Sequence, residues 1–289
     1  MILNPMHIKL VECPRDAMQG IHDFISTEKK VAYINQLLKV GFDTLDFGSF
    51  VSPKAIPQMI DTSSVLEQLD LFNTKTKLLA IIGNKRGAED ACLFPQIYYL
   101  GFPFSISETF QMRNVNSTIA ESVERVKEIK QLCDDNGKQL VVYISMGFGN
   151  PYGDEWSAEV AERWVEKLVE MNISIISLAD TIGIANPESI AYLFSHLIPK
   201  FPEVEFGAHL HTTPDTWLEK IDTAYKNGCR RFDGAIKGFG GCPMAADDLT
   251  GNMATENIIQ YFNHEKIDLG INKKEFRESV RKALKTFPL

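Results

Sequence analysis

Long apolar runs and concentrated basic segments are both missing from the sequence. No apolar run approaches the length of about eighteen residues that a membrane-spanning helix needs. Residues 1–10 also lack the charged and then apolar layout of a signal peptide. The net charge is −8 and no basic block occurs, so a nucleic-acid footprint is not supported. We therefore expect neither a membrane nor a nucleic acid among the partners of this protein.

Closely spaced cysteines are missing as well. The five cysteines are scattered along the chain, and no two of them form a CxxC pair. Such a set argues against a disulfide framework and against a zinc ribbon. A reducing compartment fits it best, and we expect a cytoplasmic protein.

Internal repeats, low-complexity segments and a recognisable linker are absent too. The composition, 44% hydrophobic and 24% charged, is that of an ordinary globular protein with ample apolar surface for a core. Barrels of alternating strands and helices reach about 250 residues as one domain. We therefore expect one catalytic domain over residues 1–289, with its core at about residues 7–265.

Short strand-like runs alternate with amphipathic helical runs along the whole chain. The eight candidate strands are His7–Glu12, Thr44–Phe47, Lys77–Ile82, Gln96–Leu100, Leu140–Ser145, Ile173–Leu178, Glu205–His211 and Arg231–Ile236. Helical stretches separate them, the first at Thr27–Lys39 with Ser26 as its N-cap. Eight such units predict an α/β fold, a (β/α)₈ TIM barrel, with a doubly wound open sheet as the alternative. A further helix at about residues 273–284 is expected to close one end.

Polar groups gather at the carboxyl ends of the predicted strands, where barrel enzymes carry their chemistry. Strand one leads into Pro14-Arg-Asp16, strand two contains Asp46, strand four leads to Ser107-Glu108, and strand six ends at Ala179-Asp-Thr181. Taken alone, Pro14-Arg-Asp16 is better explained as a turn with an ion pair. Asp46 is either a buried, hydrogen-bonded carboxylate or part of a site, and the sequence does not separate the two.

Two histidines on the seventh strand are the strongest functional signal. The two-residue period of a strand places His209 and His211 on the same face, and two unpaired imidazoles are costly to bury. With a carboxylate from Asp16 the set suits a catalytic divalent cation, and an amide oxygen from Asn252 favours Mg²⁺ or Mn²⁺. A satisfied structural pair of histidines is the alternative.

A glycine-rich turn, Gly238-Phe-Gly-Gly-Cys-Pro243, follows the eighth strand. No Gly-Lys-Ser/Thr sequel follows it, which argues against a phosphate-binding loop. We interpret the turn as a mobile loop that carries Cys242, although one cysteine among five is more often inert than reactive.

Several stretches together resemble the hydroxymethylglutaryl-CoA lyases, metal-dependent TIM barrels that carry an Arg-Asp motif on strand one. The likeness extends from about residue 9 to residue 255. It is carried by Val11-Glu-Cys-Pro-Arg-Asp-Ala-Met-Gln19, Ser49-Phe-Val-Ser-Pro-Lys-Ala-Ile-Pro-Gln-Met59, Ser107-Glu108, Asp180-Thr-Ile-Gly183, His209-Leu-His211, Gly238-Phe-Gly-Gly-Cys-Pro243 and Gly251-Asn-Met-Ala-Thr-Glu256.

The resemblance implies a role for each matching residue. A divalent cation, Mg²⁺ or Mn²⁺, would be bound by Asp16, His209, His211 and Asn252. Catalysis would use Arg15 to stabilise an enolate, Cys242 as the thiol, Asp16, and Asp46 where the family has a glutamate. An acyl-CoA thioester would be contacted by Arg15, Gln19, His22, Glu108, Asp180 and Thr181. His22 stands where the family has a lysine, which affects the CoA end more than the type of reaction.

The implied reaction is the cleavage of 3-hydroxy-3-methylglutaryl-CoA to acetoacetate and acetyl-CoA, a retro-Claisen step of leucine degradation and ketone-body metabolism. One alternative is a Claisen-type synthase that condenses an acyl-CoA with an oxo acid, which Cys242 and the lack of room for a regulatory domain disfavour. The other is a non-catalytic, metal-stabilised binding barrel, which the intact set of candidate residues disfavours. The sequence leaves the oligomeric state open, with a homodimer as the working expectation.

Overall fold

Eight parallel strands close into a barrel in the computed structural model, which describes residues 7–241 and 250–287. The strands are β1 (Lys9–Glu12), β2 (Thr44–Ser49), β3 (Lys77–Ile81), β4 (Ile97–Ser105), β5 (Gln139–Ser145), β6 (Ile175–Ala179), β7 (Glu205–His209) and β8 (Arg231–Gly234). Each strand pairs with its neighbour in the sequence, and β1 pairs with β8 to close the ring, with Val11 opposite Asp233. The predicted (β/α)₈ barrel is confirmed, and the open sheet is excluded by this last pairing.

Helices connect the strands and surround the barrel. Over the described residues they are α1 (Pro14–Gln19), α2 (Thr27–Leu38), α3 (Thr62–Leu66), α4 (Lys85–Cys92), α5 (Glu108–Val115), α6 (Ile119–Asp135), α7 (Ala158–Glu170), α8 (Pro187–Lys200), α9 (Trp217–Lys226), α10 (Thr255–His264) and α11 (Lys273–Thr286). The main apolar core lies between the strands and this outer layer. Ser26 caps α2 as expected, because its side chain accepts a hydrogen bond from the backbone N–H of Lys29. None of the described helices is long and apolar enough to cross a membrane.

The largest differences from the sequence prediction are two helices and the end of β4. The turn expected at Pro14-Arg-Asp16 is the start of α1, which has only six residues and therefore shows no helical period. Helix α5 was not predicted, and β4 continues past Leu100 through Gly101 and Pro103, two residues that usually end a strand. A Cβ at Gly101 would lie 2.6 Å from Cδ1 of Ile81, so the glycine allows close packing inside the barrel.

The C-terminal helix is present at the expected residues. Helix α11 lies along α2. The side-chain amide of Gln36 donates to the backbone oxygen of Glu275, and Lys282 donates to the backbone oxygen of Ala32. These contacts follow the length of α2, so α11 packs against this helix.

Candidate active site

A cavity opens at the carboxyl ends of the strands, and most of the predicted site residues line it. Pro14 at the first helical position of α1 turns the chain directly after β1, and this turn directs Arg15 and Asp16 into the cavity. The predicted residues in the cavity wall are Arg15, Asp16, Gln19, Asp46, Thr181, His209 and His211. Ile56, Ile81 and Phe110 contribute apolar parts of the wall.

Arg15 is held from two sides. Its Nε and Nη2 atoms donate to Oδ2 of Asp46 at 3.0 and 2.6 Å, and Nη1 donates to Asp16 at 3.0 Å and to Gln19 at 2.6 Å. Burial lowers the pKa of Arg15, but the charges of Asp46 and Asp16 outweigh it and raise the pKa above its ordinary value. Burial raises the pKa of Asp46 to about 6 despite the nearby guanidinium. Asp46 is therefore both a buried hydrogen-bonded carboxylate and part of the cavity wall.

Asp16, His209 and His211 form a cluster of candidate metal ligands. One ligand atom from each lies within 4.8 Å of the others, and Nε2 of His209 is 3.9 Å from Oδ2 of Asp16. Burial raises the pKa of Asp16, but the charges of Arg15 and the histidines outweigh it and lower the pKa below its usual value. The carboxylate therefore stays ionised, as a cation ligand must.

Asn252 reaches this cluster because residues 250–253, which we call the return segment, lie beside the end of β7. Strand β7 ends at His209, and His211 pairs with Asn252 as an isolated antiparallel bridge. The backbone N–H of Met253 donates to the oxygen of Leu210 at 2.9 Å, and that of Thr212 donates to Gly251 at 2.9 Å. The Asn252 amide nitrogen then donates to Oδ2 of Asp16 at 2.7 Å.

The cluster fits a divalent cation on two independent grounds. Nδ1 of His211 is buried and has no hydrogen-bond partner among the described residues. Burial and the charge of His209 also lower the pKa of His211 to about 3, so its imidazole is neutral, which is the form that binds a metal. Two imidazole nitrogens and a carboxylate oxygen, with an amide at hand, are a donor set that divalent cations accept.

Asp233 on β8 orients His209 and was not predicted. It lies opposite His209 in the register of β7 and β8, and its Oδ2 is 3.2 Å from Nδ1 of His209. Burial lowers the pKa of His209, but the hydrogen bond and charge of Asp233 outweigh it and raise the pKa. A carboxylate behind a histidine fixes which nitrogen faces a metal. An acidic residue within the predicted strand Arg231–Ile236 was the available signal in the sequence.

Three predicted substrate contacts lie outside the cavity wall. Glu108 is exposed, and its carboxylate accepts a hydrogen bond from the backbone N–H of Ile119 at 3.1 Å, so it stabilises the start of α6 instead. Asp180 is buried in an ion pair with Lys220 at 2.7 Å. His22 is exposed in the loop after α1. Cys242, the predicted thiol, lies outside the described residues.

The glycines before Cys242 allow the backbone to approach the cluster. Gly240 has a φ of 91°, and a Cβ there would lie 2.6 Å from the backbone oxygen of Asp16 and 2.9 Å from the Asn252 amide nitrogen. A Cβ at Gly238, where φ is 66°, would lie 2.8 Å from the backbone oxygen of Asn252. Close packing against Asp16 and Asn252 therefore requires glycine at these positions.

The closed barrel and its carboxylate–imidazole cluster define the class: a (β/α)₈ barrel with a candidate divalent-cation site at the carboxyl ends of its strands. Residues 8–282 match the HMGL-like family. The chain belongs to the HMGL-like family, which confirms the resemblance found in the sequence.

Individual relatives agree with this assignment. Hydroxymethylglutaryl-CoA lyase YngG of Bacillus subtilis (strain 168) is 35% identical over 269 residues, which cover 90% of this chain and 86% of the relative. The hydroxymethylglutaryl-CoA lyase of Pseudomonas mevalonii is 30% identical over 250 residues, covering 85% and 81%. The solved structure of an HMG-CoA lyase from Acinetobacter baumannii, in complex with coenzyme A and 3-methylmalate, has a TM-score of 0.89 at 31% identity, and the match covers 97% of this chain and 91% of that one.

Proposed function

We propose that the protein is a lyase that cleaves 3-hydroxy-3-methylglutaryl-CoA to acetoacetate and acetyl-CoA. The observation that carries this proposal is the joint presence of Arg15, Asp16, His209 and His211 in one cavity of a chain that belongs to this family. The relatives named above are such lyases, and one was solved with coenzyme A. An acyl-CoA thioester is accordingly the proposed substrate, and the single barrel is the proposed catalytic domain.

The proposed ligands of the cation are Asp16, His209, His211 and Asn252. When bound, Mg²⁺ or Mn²⁺ would act as a Lewis acid that polarises the substrate oxygens and lowers the pKa of the tertiary hydroxyl. The unpartnered Nδ1 of His211 and the ionised Asp16 support this assignment. Asp233 supports it further, because its hydrogen bond leaves Nε2 of His209 free to face Asp16.

Arg15 is the proposed electrostatic catalyst. Breaking the carbon–carbon bond develops negative charge on the thioester oxygen of the departing enolate, and a fixed guanidinium stabilises that charge without reorganising. In enzymes where one such preorganised donor was removed, the barrier rose by about 3 kcal/mol. Asp46 is the proposed positioning residue, because its carboxylate fixes the guanidinium through Nε and Nη2.

Asp16 is the proposed base that takes the proton of the tertiary hydroxyl as the carbon–carbon bond breaks, and Cys242 is the proposed acid that protonates the enolate carbon. The approach of Gly240 to the backbone of Asp16 supports the role of Cys242, because the chain passes against a residue of the cavity wall two positions before the thiol. Gln19 and Thr181 line the same cavity and are the proposed contacts to the acyl part of the substrate. Glu108, Asp180 and His22 are left out, because none of them lines the cavity.

The test is a direct assay of the purified protein. With 3-hydroxy-3-methylglutaryl-CoA and Mg²⁺ or Mn²⁺, we expect acetoacetate and acetyl-CoA in equal amounts, and no product after exhaustive chelation. Acetyl-CoA with 2-oxoglutarate or 2-oxoisovalerate serves as the control for a synthase. Faster condensation with an oxo acid than cleavage of the CoA ester would contradict the proposal.

A further inference from the structure

Lys220 on α9 is a fully buried lysine whose three ammonium hydrogens all have acceptors. Its Nζ atom donates to Oδ2 of Asp180 at 2.7 Å, to the backbone oxygen of Gly183 at 2.9 Å and to the backbone oxygen of His211 at 2.9 Å. An ammonium group has three donors, so this set is complete. One side chain therefore joins the loop after β6 to His211, two residues beyond the end of β7.

The loop after β6 is tied to the same ammonium group in a second way. Oδ1 of Asp180 accepts a hydrogen bond from the backbone N–H of Ala185 at 2.9 Å, and the backbone N–H of Gly183 donates to the oxygen of Asp180 at 3.0 Å. The carboxylate therefore connects Lys220 to the far end of this loop. Thr181, which lines the cavity, lies within the part of the chain that is fixed.

The return segment rests on both of the parts that Lys220 joins. On one side its backbone bonds to Leu210 and Thr212, the two neighbours of His211. On the other side Thr250 covers Gly183 so closely that a Cβ on that glycine would lie 2.7 Å from the threonine methyl group. Asn252 thus lies in a segment that contacts both of the parts that Lys220 joins.

We propose that Lys220 is a positioning residue that holds His211 and, through the loop after β6, Asn252 in the geometry of the cation site. The inference rests on the proposed function, because it takes these two residues as cation ligands. Outer partners of metal ligands typically change the metal affinity by 10- to 100-fold when they are removed.

Lys30 provides a matched comparison within the same chain. It is also buried, and it also combines an ion pair, with Asp61 at 2.6 Å, with a hydrogen bond to a backbone oxygen, that of Gln58. None of these partners lines the cavity. A lysine that acts only on stability is therefore available as a control for one that also positions ligands.

The test compares two double variants in which a buried ion pair is replaced by neutral side chains of similar size. Lys220→Met/Asp180→Asn is expected to weaken Mn²⁺ binding at least tenfold, as measured by calorimetry without substrate and by the electron paramagnetic resonance of the bound ion. Lys30→Met/Asp61→Asn is expected to keep the wild-type Mn²⁺ affinity, even where its thermal midpoint falls as far. A second variant, Lys220→Gln/Asp180→Asn, keeps an amide pair in case the first one does not fold, and the same loss is expected because glutamine is too short to reach both backbone oxygens.

Two outcomes would overturn the inference and are distinguishable from each other. If wild type binds Mn²⁺ and a folded Lys220 double variant binds it within twofold of wild type, or if the Lys30 control loses as much affinity, Lys220 has only a structural role. If wild type itself binds no Mn²⁺, the cation site of the proposed function is wrong, and the inference falls with it.

Discussion

His209 is the residue at which the cation site is most open to test, because its side chain is oriented from behind by Asp233 and meets Asp16 in front. His209→Ala should leave the barrel intact, since the ring contributes to the cavity wall and not to the main apolar core. We expect Mn²⁺ affinity to fall by at least tenfold and turnover to fall with it. Circular dichroism and a metal titration check the two parts, and unchanged Mn²⁺ binding in the folded variant would contradict the ligand role.

Cys242 is the residue that separates a lyase from both alternatives. Cys242→Ser replaces a thiol by a hydroxyl of much higher pKa, so proton transfer near neutral pH should fail. We expect turnover to fall by a factor of about 100 or more, with Mn²⁺ affinity unchanged, because a thiol is not proposed as a ligand of a hard ion. Steady-state kinetics and metal titration measure the two quantities.

The described cysteines provide the control for this experiment. Cys13, Cys133 and Cys229 are buried, whereas Cys92 is partly exposed. Alkylation of the native protein should therefore inactivate it through Cys242, with protection by substrate, and Cys92→Ala should be inactivated at the wild-type rate. If Cys92→Ala were no longer inactivated, the reactive thiol would be Cys92 and not Cys242.

Two of the predicted substrate contacts have hydrogen-bond partners that the sequence did not indicate. Glu108 and Asp180 belong to motifs that the family likeness singled out, but the likeness carries no information about which way a side chain turns. Glu108 turns to the start of α6 and Asp180 turns to Lys220, two contacts with residues 11 and 40 positions away along the chain. Arg15, Asp16 and the two histidines were predicted to meet because each follows or ends a barrel strand.

At the scale of elements, the turn at residues 238–241 carries a sharp prediction. Gly240→Ala introduces a Cβ within 3 Å of both Asp16 and Asn252, at a φ that side-chain residues rarely adopt. We expect turnover to fall by a factor of about 100, with a weaker affinity for Mn²⁺. Gly153→Ala is a matched control, because Gly153 also has a positive φ of 76° but has no neighbour within 4 Å of an added Cβ. An equal fall in turnover in both variants would show that the positive φ alone causes the loss, and not the contact with Asp16 and Asn252.

The elements themselves were largely predictable, and their ends were not. All eight strands and most long helices have the periodicity that sequence reveals, whereas α1 and α5 have six and eight residues and too few apolar positions to show one. The antiparallel bridge between His211 and Asn252 was beyond prediction, because it joins two residues outside any regular strand. Helix α11 was found at the right residues, but its position beside α2 depends on tertiary contacts such as that between Phe42 and Phe276.

At the scale of the whole molecule, Glu12 connects the first strand to the last unit of the barrel. Its carboxyl group bonds to the backbone N–H of Ile236 at 2.9 Å and to the hydroxyl of Thr255 at 2.5 Å. Burial is the largest cause that raises its pKa, from 4.5 to about 8. The folded protein therefore keeps a proton that the unfolded chain releases near pH 4.5.

This difference makes stability depend on pH. The contribution of Glu12 is complete below pH 4.5 and is lost as the pH rises towards about 8. The slope between these values is at most about 1.4 kcal/mol per pH unit. The glutamine of Glu12→Gln cannot release a proton. We therefore expect the free energy of unfolding of this variant, relative to that of wild type, to increase between pH 5 and pH 8. Urea unfolding at both pH values measures this, and a constant difference would contradict the raised pKa.

The contact between Phe239 and Phe287, with ring centroids 5.0 Å apart, has a practical consequence for handling the protein. Phe287 is buried at the end of α11, and Phe239 immediately precedes the glycine that touches Asp16. A purification tag fused after Leu289 is separated from this aromatic pair by only two residues, and it would disturb the backbone beside the candidate metal ligand Asp16. We expect the protein with a C-terminal tag to be less active than the same protein with an N-terminal tag, and removal of the C-terminal tag by a protease should restore the activity.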